Sequence, residues 1–262
     1  MPISYQGTRA LITGASSGLG AEFARQWAER GADVVLVARR LDRLEALAAE
    51  LEKRYGGTAT PVAADLARPG AGAVLRKELN GRGITVQTLI NNAGFGSHGS
   101  FAEQDPDHIA RMIQLNVGAV ADLTRAFLPQ LTADGRGALV TVASTAAYQP
   151  TPAMAVYGAT KAFVLSLTEA IAYETRGSAL RVLAVSPGPV ATEFFDVVGT
   201  RDAVVGRVAT AAQVVTAARR ALERRNTPAS IVAGLGNRLS ARAAQLAPRR
   251  LALATTGRAL KA

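Results

Sequence analysis

Apolar residues occur along this chain in short continuous runs, separated by longer stretches in which they recur at helical spacing. Runs such as Val34-Val35-Leu36-Val37 are wholly apolar, which is typical of strands in a parallel sheet covered on both faces. The pattern predicts seven strands, at 9–13, 33–38, 58–64, 88–91, 137–143, 180–186 and 229–234. It predicts helices between them, at 18–30, 40–54, 69–80, 106–133, 155–176 and 211–226.

This alternation of strands and helices predicts an α/β fold, a doubly wound, Rossmann-type parallel sheet of about seven strands with helices on both faces. No internal repeat or low-complexity linker interrupts the pattern, so we expect residues 1–262 to form a single domain. Sheets of this kind bind ligands beyond the carboxyl ends of their strands, where the strand order reverses. The functional residues should therefore lie in the segments that directly follow strands.

The composition excludes several classes of site. The chain has no cysteine and only two histidines, His98 and His108, so disulfides and a cysteine nucleophile are excluded and a catalytic zinc is disfavoured; we predict no metal. No apolar run approaches the roughly 18 residues of a membrane span. Strand-like sequence begins by residue 9, which leaves no room for a signal peptide, and we expect a cytoplasmic protein.

The formal net charge of +10 is confined to one end of the chain. Residues 201–262 hold 12 Lys+Arg and 2 Asp+Glu, whereas the first 200 residues hold 18 of each sign. We interpret the excess first as a solvated, arginine-rich helical face. A surface that meets an anionic membrane or an acyl carrier is the second interpretation. Nucleic acid is disfavoured, because no binding motif or aromatic interleaving accompanies the charge.

The last segment, 237–262, is predicted to be a basic, helical C-terminal extension. Four leucines in it give a rough helical periodicity that Pro248 interrupts; they are Leu239, Leu246, Leu251 and Leu253. Packing against a neighbouring subunit is an alternative to a solvated face.

A glycine-rich loop follows the first predicted strand and leads into a helix. It reads Thr13-Gly14-Ala15-Ser16-Ser17-Gly18-Leu19-Gly20. Glycines allow a tight turn and a close approach of backbone to a pyrophosphate, and the helix N-terminus offers free N–H groups to phosphates. The position at a strand–helix junction favours dinucleotide binding by Gly14, Ser16, Ser17, Gly18, Leu19 and Gly20 over a plain turn.

The end of the second strand predicts which dinucleotide binds. NAD sites place an acidic residue about twenty residues after the glycines to bind the ribose 2′-hydroxyl. Here Ala38 is followed by Arg39 and Arg40, and a guanidinium suits a 2′-phosphate. We predict NADP(H), with Arg39 as the main contact and Arg40 and Ser16 as helpers. The alternative is that the two arginines merely cap a strand and open a surface helix.

Tyr157 and Lys161 lie four residues apart in a predicted helix, a spacing that places both side chains on one face. Tyr157 is the only tyrosine of the chain with a lysine at this spacing. A free tyrosine, with a pKa of about 10, is a poor acid–base catalyst at neutral pH. A nearby ammonium favours the phenolate, so we expect Lys161 to lower the pKa of Tyr157.

Together these motifs resemble those of the classical short-chain dehydrogenase/reductases, over roughly residues 7–235. The glycine-rich loop is followed by Asn91-Asn92-Ala93-Gly94, Asn116-Val117-Gly118, Ser144 with Tyr157 and Lys161, and Pro187-Gly188-Pro189-Val190-Ala191-Thr192. All occur in the family's order and at plausible spacing. The last 27 residues lie outside the shared pattern.

The resemblance implies a role for each matched residue. Tyr157 would protonate the substrate oxygen while the nicotinamide delivers a hydride, Lys161 would lower the phenol's pKa and bind the nicotinamide ribose, and Ser144 would hold the substrate carbonyl. Asn116 would anchor a water in a proton relay to Lys161. The remaining positions would contact the cofactor: Asp65 and Leu66 at the adenine, Asn92 and Gly94 along the dinucleotide, and Val190 and Thr192 at the carboxamide.

Taken singly, two of these residues have ordinary structural interpretations. Ser144 could satisfy a turn at a strand end, and Asn116 could bond helix backbone. Ser144 is not part of a G-x-S-x-G elbow, which disfavours a hydrolase. Asp107 and His108 look like first-turn helix residues, and His98 is a weaker candidate for facing substrate.

In this family the segment after Pro187-Gly188 folds over the active site, which by resemblance predicts an apolar substrate pocket. Its apolar side chains are Phe194, Phe195, Val197 and Val198, with Ala146, Met154, Val156 and Phe95 from other loops. They suit a small hydrophobic ketone, aldehyde or alcohol; the two phenylalanines could instead be ordinary core.

The function predicted from the sequence is an NADP(H)-dependent oxidoreductase. One alternative is a dinucleotide-sensing or partner-binding protein on the same fold, and another is a peripheral membrane or acyl-carrier-associated ketoreductase that uses the basic tail. By resemblance, we expect a homodimer or homotetramer joined through the helices at 106–133 and 155–176.

Overall fold

A single parallel sheet of seven strands forms the centre of the molecule. The structure is a computed structural model that describes residues 3–200 and 206–260, without the side chain of Val197. The spatial order is β3-β2-β1-β4-β5-β6-β7, so the strand order reverses between β1 and β4. The strands are β1 Arg9–Thr13, β2 Asp33–Ala38, β3 Ala59–Ala63, β4 Thr88–Asn91, β5 Ala138–Val142, β6 Arg181–Ser186 and β7 Ser230–Val232.

Helices cover both faces of the sheet, which confirms the predicted fold class. They are α1 Gly18–Ala28, α2 Leu41–Tyr55, α3 Ala71–Gly81, α4 Pro106–Ile113, α5 Ala119–Asp134, α6 Ala155–Glu174, α7 Phe194–Val198, α8 Ala211–Leu222, α9 Leu235–Leu246 and α10 Arg249–Ala259. No helix among the described residues is long and apolar enough to cross a membrane.

The hydrophobic core has two layers, one on each face of the sheet, because successive side chains of a strand point to opposite faces. Ile12 of β1 packs with Phe23 and Trp27 of α1 on one face. Its neighbour Leu11 packs with Leu123 and Phe127 of α5 on the other. Both faces of the central strands are therefore dry, which explains why the strands read as continuous apolar runs.

The predicted helix at 106–133 is wrong in one respect, because it is two helices joined by a π turn over Gln114–Gly118. Asp105 caps α4 by accepting a hydrogen bond from the backbone N–H of Asp107, with Pro106 in the first turn. The extra residue of a π turn shifts the helical register locally, and such turns are frequent at functional sites. Asn116 occupies this turn and is buried.

The C-terminal segment forms two helices that meet at Pro248, so the break in leucine periodicity corresponds to a real turn. Pro248 itself precedes the first turn of α10, where its missing N–H costs nothing. At the start of α9, Asn237 lies directly against Gly188, so that a side chain at Gly188 would meet its amide nitrogen at 2.5 Å. Residues 261 and 262 of the predicted extension lie outside the described residues.

Candidate active site

A cleft of about 1150 Å³ runs along the carboxyl edge of the sheet and across the β1–β4 reversal. Most of the residues selected from the sequence line it. These are Gly14, Ser16, Ser17, Gly18, Leu19, Arg39, Arg40, Asp65, Leu66, Asn92, Gly94, Ser144, Tyr157, Lys161, Val190 and Thr192. Gly20 and Asn116 are not in its lining and act from behind it.

Gly20 is a packing position between the glycine-rich loop and α1. A Cβ there would lie 2.2 Å from the carbonyl oxygen of Gly14, so no side chain fits without moving the loop. The Ser17 side chain does not cap the backbone N–H groups at the start of α1, which leaves N–H groups of the first turn available at the cleft. The loop therefore has the close packing and the donor groups that a pyrophosphate requires.

Thr13 joins the ends of β1 and β4, a role that sequence reasoning missed. Its hydroxyl oxygen accepts hydrogen bonds from the backbone N–H groups of Asn92 (2.9 Å) and Ala93 (3.0 Å). In return, the side-chain amide of Asn92 donates to the carbonyl of Thr13 at 2.8 Å. Asn92, predicted to contact the dinucleotide, thus also fixes the glycine-rich loop to the loop after β4.

The two arginines after β2 behave differently from each other. Arg39 has an exposed side chain at the cleft. Arg40 reaches back over the glycine-rich loop and donates to the hydroxyls of Ser16 (3.0 Å) and Ser17 (3.1 Å). It also pairs with the carboxylate of Glu193 at 3.1 Å.

Glu193, another residue that sequence reasoning missed, lies in the segment between β6 and α7. Its carboxylate also pairs with Arg43 at 2.5 Å, and the hydrogen bond from Arg43, with a smaller contribution from Arg40, lowers the pKa of Glu193. The guanidinium of Arg40 is therefore already paired with the Glu193 carboxylate, and a 2′-phosphate would compete with this carboxylate for Arg40.

Thr192 brings the same segment to the cofactor loop. Its side chain lies against Gly18, where a Cβ would approach it to 3.1 Å. The segment is held in place by Val190, which bridges to Ala209, and by a hydrogen bond from the N–H of Ala191 to the carbonyl of Ala209 at 2.9 Å. Val190 and Thr192 therefore line the cleft, with Thr192 next to the glycine-rich loop.

Tyr157, Lys161 and Ser144 meet at the inner end of the cleft, and all three side chains are buried. The Ser144 hydroxyl is within hydrogen-bonding reach of the phenol and accepts from the N–H of Ala146 at 3.1 Å. The Lys161 ammonium lies 5.8 Å from the centre of the Tyr157 ring. It donates a hydrogen bond of 2.8 Å to the carbonyl of Val142.

The expectation that Lys161 lowers the pKa of Tyr157 is wrong for this arrangement. Burial raises the pKa of Tyr157 to about 12, and the hydrogen bond with Ser144 opposes that rise. Burial also lowers the pKa of Lys161 to about 8, so the amine releases its proton more readily than an exposed lysine. Desolvation disfavours the charged form of each group and is the largest cause of both shifts.

Asn116 supports this group from behind. Its side-chain oxygen accepts from the N–H of Phe95 at 3.1 Å, and its amide donates to the Phe95 carbonyl at 2.8 Å and to the Thr160 hydroxyl at 3.1 Å. Gly94 makes this approach possible, because a Cβ there would lie 2.9 Å from the Asn116 oxygen and 3.4 Å from the Lys161 nitrogen. The predicted relay water on Asn116 stays a prediction.

The part of the cleft next to Tyr157 is apolar. Phe194 packs on Tyr157 with ring centres 5.3 Å apart and on Phe195 at 5.4 Å. Phe95, Ala146 and Met154 line the cleft as predicted, whereas Val156 and Val198 are not in its lining. The side chain of Val197 lies outside the described part of the chain.

His108 lines the cleft, although sequence reasoning assigned it to an ordinary first turn of helix. Its ring stands edge-on to Phe95 with centres 5.0 Å apart. His98, by contrast, is not in the lining, and its Nε2 lies 3.0 Å from the carbonyl oxygen of Leu260.

Helices α9 and α10 form one wall of the cleft, which the sequence did not reveal. The lining residues they supply are mostly small, namely Ser240, Ala243, Ala244, Ala247, Leu251, Ala252, Thr255, Thr256, Ala259 and the following Leu260. Leu260 is buried in a cluster with Met112, Met154 and Tyr157. The C-terminal segment therefore packs into the same apolar cluster as Tyr157.

The burial of Lys161 predicts a pH-dependent stability. Between its folded pKa of about 8 and its ordinary value of 10.5, the unfolded chain binds more protons than the folded one, so stability rises with pH. We expect the free energy of unfolding of the wild type, relative to Lys161→Met, to rise by up to about 3 kcal/mol from pH 8 to 10.5 in urea titrations.

Lys53→Met, at an exposed lysine of α2, is the matched control and should follow the wild type. Parallel pH curves for the wild type and Lys161→Met would contradict a depressed pKa at this lysine.

Comparison with known proteins agrees with the geometry. The family model described as short chain dehydrogenase matches residues 8–203. The very-long-chain 3-oxoacyl-CoA reductase of Anas platyrhynchos is 32% identical over 72% of this chain and 61% of its own length. The chain thus spans about three fifths of the length of the first curated relatives it matches.

Two solved structures illustrate the likeness over nearly the whole chain. A short-chain dehydrogenase from Sphingobium yanoikuyae, in complex with NADPH, has a TM-score of 0.81 and 37% identity, covering 95% of both chains. The bulky-bulky ketone specific alcohol dehydrogenase from Comamonas testosteroni has a TM-score of 0.75 and 30% identity, covering 96% of this chain and 92% of its own. The chain described here belongs to the family of short-chain dehydrogenases.

Proposed function

We propose that this protein is an NADP(H)-dependent oxidoreductase that interconverts a hydrophobic ketone or aldehyde and the corresponding alcohol, with Tyr157 as the acid–base catalyst. One observation carries the proposal: Ser144, Tyr157 and Lys161 are buried together at the inner end of a cleft whose other end carries a dinucleotide-type loop. A dinucleotide-type loop and a buried Ser–Tyr–Lys group in one cleft are what a hydride-transfer enzyme needs, and either feature alone would support the proposal less.

The residues present fit the cofactor. Gly20 lets the glycine-rich loop pack closely on α1, and Gly94 leaves room for the side chains of Asn116 and Lys161, so both residues shape the site through the protein's own packing. When bound, the nicotinamide supplies a hydride for reduction and accepts one in oxidation. The exposed guanidinium of Arg39 and the partly engaged one of Arg40 are suited to a 2′-phosphate, and the relative from Sphingobium yanoikuyae was solved with NADPH.

The proton of the reaction comes from the phenol. With a pKa of about 12, Tyr157 keeps its proton at neutral pH and can donate it to the substrate oxygen as the carbonyl carbon is reduced. Ser144 hydrogen-bonds the same oxygen and stabilises the negative charge that develops there. Lys161, with a pKa of about 8, can return a proton to the phenolate, and oxidation reverses each transfer.

The substrate is proposed to be apolar and larger than a simple ketone. Phe95, Met154, Phe194 and Phe195 line the region next to the phenol, and the small side chains of α9 and α10 leave space opposite them. The names of two similar proteins, a very-long-chain 3-oxoacyl-CoA reductase and a bulky-bulky ketone alcohol dehydrogenase, are consistent with this class.

Assembly and location stay predictions. A homodimer or homotetramer through α4, α5 and α6 is supported by the exposed apolar side chain of Phe163 on α6 and of Ile113 at the end of α4. A cytoplasmic protein is expected from the sequence alone.

Removal of the Tyr157 hydroxyl tests the proposed function. We expect Tyr157→Phe to lower kcat for NADPH-dependent reduction across a panel of apolar ketones by at least about 10²-fold. The dissociation constant for NADPH, measured by fluorescence titration, should change little. Tyr173→Phe, at an exposed tyrosine of the same helix, should behave as the wild type.

Unchanged turnover in Tyr157→Phe would refute the catalytic assignment. If the wild type bound NADPH but reduced no ketone of the panel, the dinucleotide-sensing alternative would replace the enzyme.

Removal of the Glu193 charge tests the 2′-phosphate site. Because Glu193 pairs with Arg40 and Arg43, Glu193→Gln should free both guanidinium groups and tighten NADPH binding about two- to fivefold, with little effect on NADH. Fluorescence titration with the two cofactors measures the difference.

Asp196→Asn removes a charge from an exposed site in the same segment and is the control for general electrostatics. Equal gains in affinity for NADPH and NADH, or equal gains in both variants, would disprove competition at Arg40.

Arg39→Asp should lower the preference for NADPH over NADH, and an unchanged preference would remove Arg39 from the site.

A larger side chain at Ala252 tests the role of α10 as a pocket wall. Ala252 is buried and lines the cleft, so Ala252→Phe should lower kcat/KM for a bulky ketone by at least about tenfold and for a small ketone by less. NADPH affinity should stay the same. Ala254→Phe, exposed on the same helix, is the control, and equal effects at both sites would rule out a pocket wall.

A further inference from the structure

The outer side of α9 and α10 carries an unusual combination of exposed leucines and arginines. On α9, Leu235, Leu239 and Leu246 are 65%, 60% and 87% exposed. Together with Arg242 they follow the spacing i, i+4, i+7, i+11, which places them in one stripe along the helix. Exposed leucines scattered singly are ordinary, but a continuous stripe marks an interaction surface.

Helix α10 adds further exposed leucines, and both helices are rich in arginine. Leu251 and Leu253 are exposed there, and the arginines of the surface are Arg238, Arg242, Arg249, Arg250 and Arg258. Residues 235–260 contain no aspartate or glutamate. Within residues 3–200 and 206–260, none of these five arginines forms an ion pair with another side chain.

We propose that this surface, the outer face of α9 and α10, docks on an anionic lipid bilayer. Its leucines would enter the boundary between headgroups and acyl chains, while the long arginine side chains reach the phosphates. An arginine that reaches an anionic surface raises the partition coefficient about fivefold. Five of them, with no acidic residue in the two helices, give the charge complementarity that such a surface requires.

A second copy of the chain fits the surface less well. In a twofold-symmetric dimer the same patch would face itself, which would bring arginines against arginines without a compensating carboxylate. A bilayer offers both an apolar layer and negative charge, and its flat surface matches a leucine stripe about 16 Å long.

The position of the surface connects it with the cleft. Leu251 is exposed and also lines the cleft, and so do Ala243 and Thr255. The rim of the cleft is therefore continuous with the leucine surface. An apolar molecule dissolved in the bilayer would reach the cleft without crossing bulk water, which extends the proposed function but does not depend on it.

Vesicle flotation tests the proposal with the full-length chain. We expect the wild type to float with vesicles of equal parts phosphatidylcholine and phosphatidylglycerol, to float much less with pure phosphatidylcholine, and to be partly released by high salt. Leu239→Ser/Leu246→Ser should reduce the bound fraction at least about tenfold. Both leucines lie outside the cleft lining, so NADPH affinity should be unaffected.

Two further variants make the result specific. Arg242→Ser/Arg249→Ser should reduce binding to the anionic vesicles but not the small binding to neutral ones. Val74→Ser, at an exposed apolar residue of α3, should bind as the wild type. Absence of binding to anionic vesicles, or wild-type binding by the leucine variant, would overturn the proposal. So would a change in oligomeric mass in the leucine variant without lipid, since that would assign the surface to self-association.

Discussion

The hydrogen bonds of the Thr13 hydroxyl hold together the two loops on which the rest of the cleft depends. They join the carboxyl ends of β1 and β4, the two neighbouring strands at which the order of the sheet reverses. Adjacent parallel strands at a reversal send their chains to opposite faces, so their loops diverge and leave a crevice. The Thr13 bridge adds to the backbone pairing of β1 and β4 and fixes the two loops to each other where they leave the sheet.

A series of short contacts connects this bridge with the candidate catalytic residues. Asn92 is fixed to Thr13, Gly94 follows it two residues later, and Gly94 lies against both Asn116 and Lys161. The π turn at Asn116 supplies the inward side chain, and Lys161 is then held by the end of β5 through the Val142 carbonyl. Each contact uses backbone or a buried amide, so the positions of the two ends of the cleft are mechanically linked.

The sequence was sufficient for the sheet and for the motif residues, because continuous apolar runs and glycine spacing are local properties. It could not show the pKa of Tyr157. The spacing of Tyr157 and Lys161 predicts that the two groups are near each other, but the pKa of each also depends on how much water the surrounding elements exclude.

Glu193 was missed for a similar reason, since its partners Arg40 and Arg43 lie about 150 residues earlier in the chain. The π turn was also hidden, because one inserted residue hardly disturbs helical periodicity.

The wall formed by α9 and α10 lies after the stretch that matches the family model, which ends at residue 203. The reacting groups and the cofactor loop all precede that boundary, whereas side chains opposite the phenol come from beyond it. One wall of the cleft is thus encoded apart from the candidate catalytic residues, whereas Phe95, Met154, Phe194 and Phe195 are encoded with them. Under the proposed function, substitutions in the final thirty codons would change which substrates fit the cleft and leave Ser144, Tyr157 and Lys161 in place.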